Sequence, residues 1–358
     1  MEMMLQGPEI RVLQISKVRM NPYVRLLQEA LHNLGMSCSI GEGLSLREAR
    51  PWRETFDVLH LHWLELLYAA PHPGRSLRKL SSVLAGLQWI RGGGCKLVYT
   101  VHNVQPHERA FPLLDQIASR VVFSWADAVH VHDEAARRTV AQTYRRNQRV
   151  HVIPHGSYVG AYPNRCTKPE ARERLGLAQD AFVYLCLGQV RRYKGIEDLI
   201  AAFQQLADEN AQLMIAGNVH DAAYARELTQ LTEGRSNIHT RFQYVPDEEV
   251  QYFLNACDVC VLPYRSVTTS GAAVLAFSFG RPVIASALGG FEELLAGGRG
   301  IAYSLAADDA LLHALRQARH LDVVEAGQKA LAWAREQQWQ KLAPRFAEVY
   351  AEVLSTRV

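Results

Sequence analysis

Short apolar runs alternate with stretches of helical spacing along this chain, and they do so in two successive series. That alternation predicts parallel sheets with helices on both faces, because each strand-to-strand return needs a crossover. The first series opens with Arg11–Ile15 (RVLQI). In the following helix, Pro22–Leu34, residues Tyr23, Leu26, Leu27, Ala30, Leu31 and Leu34 share one face. Further strands are expected at Val58–His62, Lys96–Val101, Ala128–His132 and Val150–Ile153, with helices at Ser76–Ile90 and Ile117–Trp125. A polar, proline-containing stretch, 162–179, then suits a connection with a short helix. The second series predicts strands at Phe182–Leu187, Gln212–Ala216, Ile238–Gln243, Val259–Tyr264 and Pro282–Ala285. Its helices are expected at Ile196–Leu206, Ala222–Leu231, Glu248–Ala256 and Ala272–Phe279, followed by a helical tail, Ala330–Leu354.

The 358 residues suffice for two domains with real cores. The fold class read from this pattern is α/β: two tandem doubly wound, Rossmann-like domains with a cleft between them. The expected division is 1–165 and 166–338, followed by the tail 339–358. With 48% hydrophobic and 21% charged residues, disorder and coiled coil are excluded. A net charge of +3 is too balanced for a general nucleic-acid binder. No apolar run reaches the ~20 residues of a spanning helix, and the N-terminus lacks a signal-peptide core, so a cytoplasmic location is expected. Six cysteines form no disulfide framework, and Cys257 and Cys260, in NACDVCVLP, read as buried small residues.

Two loops carry the clearest chemistry. In LGQVRRYKGIEDLIAAF an apolar strand ends at Gly188, a loop supplies Arg191, Arg192 and Lys194, and Gly195 opens a helix. Cations beside a helix start suit an anion. In VCVLPYRSVTTSGAAVLAFSFGRPVIAS, Thr268, Thr269 and Ser270 are helix-capping types, and Gly271 lets a ligand approach the backbone. Two such starts in one domain fit a nucleotide diphosphate. Gly217, Asn218 and the backbone of Tyr244 and Val245 are expected along the same edge, the last two toward a base. A solvated basic loop and a plain helix cap are the competing structural readings.

The first half supplies histidines at strand ends: His60 and His62, His102 before Asn103, and His155, with Pro106-His107-Glu108 in a loop. His60 and His62 are expected on opposite faces, one packed and one open to the cleft. No metal site is expected, since the spacings match no compact ligand motif and no DxD pair is present. Helix Ser76–Ile90 carries Arg75, Arg78, Lys79 and Arg91 around an apolar stripe. It reads either as a core-packed helix with a solvated face or as a contact for an anionic membrane at the inner face of the cell.

The segments GQVRRYKG, AGN, CDVCVLPY and TSG…AFSFGRPVIAS resemble the GT-B-fold glycosyltransferases that use nucleotide sugars. MNPYVRLLQEAL, DVLHLHW and TVHNVQPHE are similar to bacterial enzymes that build exopolysaccharide units on lipid carriers, including xanthan-type β-mannosyltransferases. The resemblance implies GT-B architecture, with the C-terminal helix crossing back to an acceptor-binding first domain. It implies transfer of a hexose from GDP-mannose or a UDP-sugar to a glycan or lipid-linked acceptor, with no cofactor and no divalent metal. A silent subunit of an active transferase and a nucleotide-sugar epimerase are the alternatives. Carried over, it gives Arg191 and Lys194 to the diphosphate, Gly188 and Gly195 to its close approach, and Thr269, Ser270 and Gly271 to the distal phosphate or sugar. His102 would contact the transferred sugar. Asn21, Tyr23, His62 and Glu65 fall on the acceptor side. If configuration inverts, Glu108, His102 or Glu65 would be the base; if it is retained, the leaving phosphate could take the proton. Many relatives place two glutamates eight positions apart where this chain has Val267 and Leu275, and an arginine where it has Gln189.

Overall fold

The structure is a computed structural model that describes residues 9–104 and 111–356. It resolves into two compact units, 1–156 with 339–358, and 157–338. Each is built on a six-stranded, wholly parallel sheet.

In the first unit the strands are β1 (Arg11–Ile15), β2 (Ser37–Gly41), β3 (Val58–His62), β4 (Lys96–Thr100), β5 (Ala128–Val131) and β6 (Val150–Val152). The helices between them are α1 (Tyr23–His32), α2 (Leu46–Ala49), α3 (Leu64–Tyr68), α4 (Pro73–Arg91), α5 (Pro112–Trp125) and α6 (Glu134–Tyr144). The order β2-β1-β3-β4-β5-β6 places a topological switch between β1 and β3. In the second unit, α7 (Lys168–Leu175) precedes β7 (Phe182–Leu187), α8 (Ile196–Leu206), β8 (Ala211–Ala216), α9 (Ala222–Thr232) and β9 (Ile238–Arg241). There follow α10 (Val250–Ala256), β10 (Val259–Leu262), α11 (Gly271–Ser278), β11 (Val283–Ser286), α12 (Phe291–Leu295), β12 (Gly300–Tyr303), α13 (Ala310–Ala318) and α14 (Val323–Glu336). Its order, β12-β11-β10-β7-β8-β9, puts the switch between β7 and β10. Open α/β sheets bind ligands beyond the carboxyl ends of the strands that flank such a switch.

Strand parity decides which face each side chain joins. Leu13, Ile15, Leu59, Leu61, Leu97 and Tyr99 pack with α4 and α5. Val12, Val58, Val98 and Ala128 pack on the opposite face, with α1 and a last helix, α15 (Trp339–Ser355). The expected single tail helix is therefore two: α14 ends at Glu336, and α15 returns to the first unit through Trp339, Leu342, Phe346 and Tyr350. A Cβ on Gly156 would sit 2.2 Å from the Trp339 ring, so this return needs glycine there. The stripe of α4 (Leu80, Val83, Leu87, Ile90) is in the core, with its cations outside. The two strands the sequence reading lacks, β2 and β12, each end a sheet. An end strand pairs on one side only and needs no continuous apolar run.

Candidate active site

The two strands flanking the switch of the second unit deliver the two loops singled out in the sequence. β7 runs into Gly188 (φ 130°) and a single tight turn, Arg192–Lys194, before Gly195 (φ 62°). Both glycines occupy backbone that side chains rarely adopt. A Cβ at Gly195 would come within 2.3 Å of the Pro263 carbonyl oxygen, so the two loops abut. A Cβ at Gly188 would come 3.3 Å from Lys194 Nζ, so glycine keeps the space beside that ammonium open.

Lys194 is only 9% exposed, and no carboxylate pairs with it among the described residues. Its ammonium lies 5.1 Å from the centre of the Tyr264 ring. A buried cation without an anion is costly, and the ring face offsets only a little of that. The Ser270 side chain in turn acts on the Tyr264 hydroxyl. Lys194 and Ser270 therefore converge on one phenol. Ser270 caps α11 by accepting from Ala273 N at 3.3 Å. The first amides of α11, at Gly271 and Ala272, precede the helical ladder and have no carbonyl of their own. Beside them Thr269 Oγ1 is buried with no partner. An unpaired ammonium, a helix start and an orphan hydroxyl form a seat for a multiply charged oxyanion.

The start of α8 differs from the start of α11. Its first turn carries Glu197 and Asp198, which Arg265 binds at 2.8 and 2.7 Å, so its positive end already has anions. Arg192 is drawn to Glu227 at 2.8 Å and lies over the Tyr224 ring. Val245 is buried in the core, whereas Tyr244 is 47% exposed. Val267 and Leu275 pack against that same core. Cys257 and Cys260 are buried free thiols with sulfurs 3.9 Å apart, too far for a disulfide.

In the first unit the corresponding edge is a cluster of buried rings. Residues two apart on a strand share a face, so His60 and His62 lie together, with ring centres 4.2 Å apart, not on opposite faces. His102, His130 and His132 continue the same parity on β4 and β5 and the residues just beyond them. Hydrogen-bond partners fix the protons of one chain of groups. The Ile153 carbonyl accepts from His130 Nε2 at 2.8 Å, so His130 Nδ1 must accept from the Thr100 hydroxyl at 2.9 Å. Thr100 then accepts from His60 Nε2 at 2.6 Å, and Tyr350 donates to His60 Nδ1 at 2.7 Å. Two histidines thus tie α15 to the sheet.

His62 and His102 form the other pair, Nδ1 to Nε2 at 3.1 Å. His62 Nε2 is buried without a partner. A buried lone pair left unpaired costs less than a buried N–H left unpaired, which puts the His62 proton on Nδ1, donating to His102. His102 then carries its proton on Nδ1, the one ring nitrogen left for a ligand. Its ring is stacked on Trp63, with centres 3.6 Å apart and planes at 8°. Trp63 itself adopts φ 41°, a left-handed conformation that turns the chain from β3 into α3. Burial holds all these histidines neutral, His62 and His130 at about 3, His155 at about 4, and His102 well below its ordinary value.

Tyr23 is wholly buried, with edge contacts to His62, His102, His132, His155, Trp63 and Trp339. It supports the cluster and cannot itself meet an acceptor, and fully buried His62 can act only through His102. Asn21 starts α1 by accepting from Tyr23 N at 2.9 Å. Glu65, in the first turn of α3, accepts from Asn103 Nδ2 at 3.3 Å, and desolvation raises its pKa. Glu108 lies outside the described residues. His132, with both ring nitrogens buried and unpartnered, and Trp63 are site-edge residues that sequence reasoning passed over. The strand parity of AVHVHD could have signalled His132.

Comparison with known proteins gives these features a class. Residues 181–320 match the family model of group 1 glycosyl transferases. A GDP-mannose:glycolipid 4-beta-D-mannosyltransferase of Xanthomonas campestris pv. campestris is 29% identical over 286 residues, covering 78% of this chain and 74% of that protein. A D-inositol 3-phosphate glycosyltransferase of Xylanimonas cellulosilytica is 26% identical, covering 80% and 68%. Among solved structures, a sucrose-phosphate synthase from Thermosynechococcus elongatus aligns with a TM-score of 0.78 at 17% identity, covering 97% of this chain and all of that one. The Anabaena protein HepE, solved with UDP-glucose, aligns at 0.73 and 16% identity, covering 96% and 100%. The chain is a glycosyltransferase of GT-B fold, and its residues 181–320 are similar to the group 1 glycosyl transferases. No helix among the described residues is long and apolar enough to cross a membrane.

Proposed function

We propose that this protein moves a hexose from a nucleotide-diphosphate sugar to a glycan or lipid-linked acceptor, with GDP-mannose the first donor to test and no divalent metal required. The observation that carries the reading is the buried, unpaired Lys194 ammonium converging with Ser270 on Tyr264. As the anomeric C–O bond breaks, negative charge grows on the leaving diphosphate. Lys194, Thr269 Oγ1 and the first amides of α11 are already oriented for that charge, and preorganised donors of this kind lower the barrier. Gly188, Gly195 and Gly271 let the phosphates approach the backbone, Arg191 adds charge, and the backbone at Tyr244 and Val245 holds the base.

The relative from Xanthomonas is named as making a β-mannoside from GDP-mannose. An α-linked donor giving a β product requires inversion, hence a base for the acceptor hydroxyl. His102 is a poor base: burial disfavours its charged form, and its Nε2 is engaged by His62. Its Nδ1–H is suited to hold a sugar hydroxyl. Glu65, partly exposed and with a raised pKa, is the better base. An anionic membrane at the cytoplasmic face belongs to this reading as the place where a lipid-linked acceptor is met.

The test is a transfer assay with GDP- and UDP-sugars and lipid-linked acceptors, together with ligand-induced shifts in melting temperature. Turnover with one donor and a matching shift are expected, and Glu65→Gln should abolish turnover while leaving the donor-induced shift intact. Glu108→Gln is run alongside. Absence of both shift and turnover across the panel overturns the reading; a shift without turnover supports a silent subunit.

A further inference from the structure

The first unit carries a second group of cations that the transfer chemistry leaves unused. An open cavity of about 710 Å³ is lined by Arg120 and Phe123 of α5 and by Tyr144, Arg145 and Arg146 at the end of α6. The Phe123 and Tyr144 rings stack there with centres 4.2 Å apart. Arg120 and Arg145 have no carboxylate partner among the described residues. Arg146 donates to the Ala126 carbonyl at 2.9 Å, and its Nε is buried with no partner. Asp127, the acid that acts on Arg146, is already engaged by Leu97 N at 2.8 Å and lies 4.0 Å from Lys96. The C-terminal carbonyls of α6 favour a cation, which accounts for one arginine and not for three. Three guanidinium groups therefore line one cavity, and none of them is in an ion pair among the described residues.

The same face of α5 continues into apolar surface. Leu113 is 70% and Ile117 47% exposed. Leu113, Ile117, Arg120 and Ser124 follow one another at helical spacing, so they share a single face, and Ser124 also lines the cavity. Apolar side chains beside cations are what a helix lying in a membrane interface presents. The apolar groups enter the acyl boundary, and the cations take the lipid phosphates. Helix α4, the sequence candidate for this contact, buries its apolar stripe in the core, and its Trp89 is covered by Arg53 at 4.3 Å.

We propose that the α5–α6 face seats this protein on an anionic phospholipid surface, with a lipid phosphate in the arginine-lined cavity. This deepens the membrane contact proposed above but does not depend on sugar transfer. The full chain is floated with vesicles of phosphatidylcholine alone and of phosphatidylcholine mixed with phosphatidylglycerol. Binding to the mixed vesicles only, weakening with salt, is expected. The double variant Arg120→Ala/Arg145→Ala should bind about 25-fold more weakly, from roughly fivefold per arginine. Leu113→Ser/Ile117→Ser should lose about tenfold or more, whereas Arg75→Ala/Arg78→Ala on α4 should bind near the wild-type level. The exposed α5–α6 variants should melt as wild type and keep full transfer to a water-soluble acceptor. Equal binding to both vesicle types, or wild-type binding by the α5–α6 variants, overturns the proposal. Transfer to the soluble acceptor reports separately on the enzymatic reading.

Discussion

Both sheets are six-stranded and wholly parallel, yet the two units solve the problem of buried polar groups in opposite ways. Past β7 the second unit keeps the Lys194 side chain buried with no carboxylate paired to it among the described residues. On and just past β3, β4, β5 and β6 the first unit gathers six buried histidines and holds them neutral, with two of them in a closed hydrogen-bonded chain to Tyr350. A lysine cannot give up its charge as readily as an imidazole, so the first arrangement stays incomplete until an anion arrives. The second carries no charge at neutral pH, although His62 Nε2 and both ring nitrogens of His132 have no partner among the described residues.

The largest test of that contrast is Lys194→Met. Loss of the ammonium should lower kcat/KM about 10²–10³-fold, the range for one lost charge-stabilising donor. The melting temperature should stay level or rise, since an unpaired buried charge is removed while the stem's volume is kept. Lost activity together with a large drop in melting temperature would show that the ammonium is structural.

Acidification should strike the first unit. Burial lowers the folded pKa of His62 and His130 to about 3 and of His155 to about 4, below the ordinary 6.5. The unfolded chain therefore binds more protons once the pH falls under 6.5. The stability these groups supply is complete above that value and is lost progressively down toward pH 3–4. Each costs up to about 1.4 kcal/mol per pH unit in that window. Hydrogen exchange at pH 7 and 5 should show β3, β4, β5 and α15 losing protection before β7 and β10; equal loss in both units would remove the contrast.

A packing change sharpens the comparison further. Gly156→Ala drives a methyl against the Trp339 ring and should cost about 1–3 kcal/mol in urea unfolding, an overpacking cost, loosening α15 while donor binding to the second unit persists. Smallest are the changes at α11. Ser270→Ala removes a helix cap worth about 1 kcal/mol and should raise the donor KM. Thr269→Val, which deletes a buried hydroxyl with no partner, should raise that KM with no loss of melting temperature.

Much of this was legible in residue order. Strands Arg11–Ile15, Val58–His62 and Phe182–Leu187 and helix Ile196–Leu206 stand where periodicity put them, because internal parallel strands and core-facing helices must carry apolar runs. β2 and β12 escaped because end strands need no such run, and α6 because its buried face reduces to Ala136 and Val140. The loop cations were visible as a group. That Arg192 is spent on Glu227 while Lys194 has no acid paired with it among the described residues was not, because the difference rests on α9 lying next to that turn. The histidines were visible singly, but their convergence on Tyr23 required four strands to be set side by side.

The sequence by itself determined the internal strands, the core-facing helices beside them and the loops that follow those strands, since these depend on local periodicity and on where glycine is tolerated. Tertiary structure alone decided which charges are left without partners and which imidazole nitrogen carries a proton. Both are set by desolvation and by neighbours far away along the chain, such as Tyr350 against His60, and no local pattern encodes them.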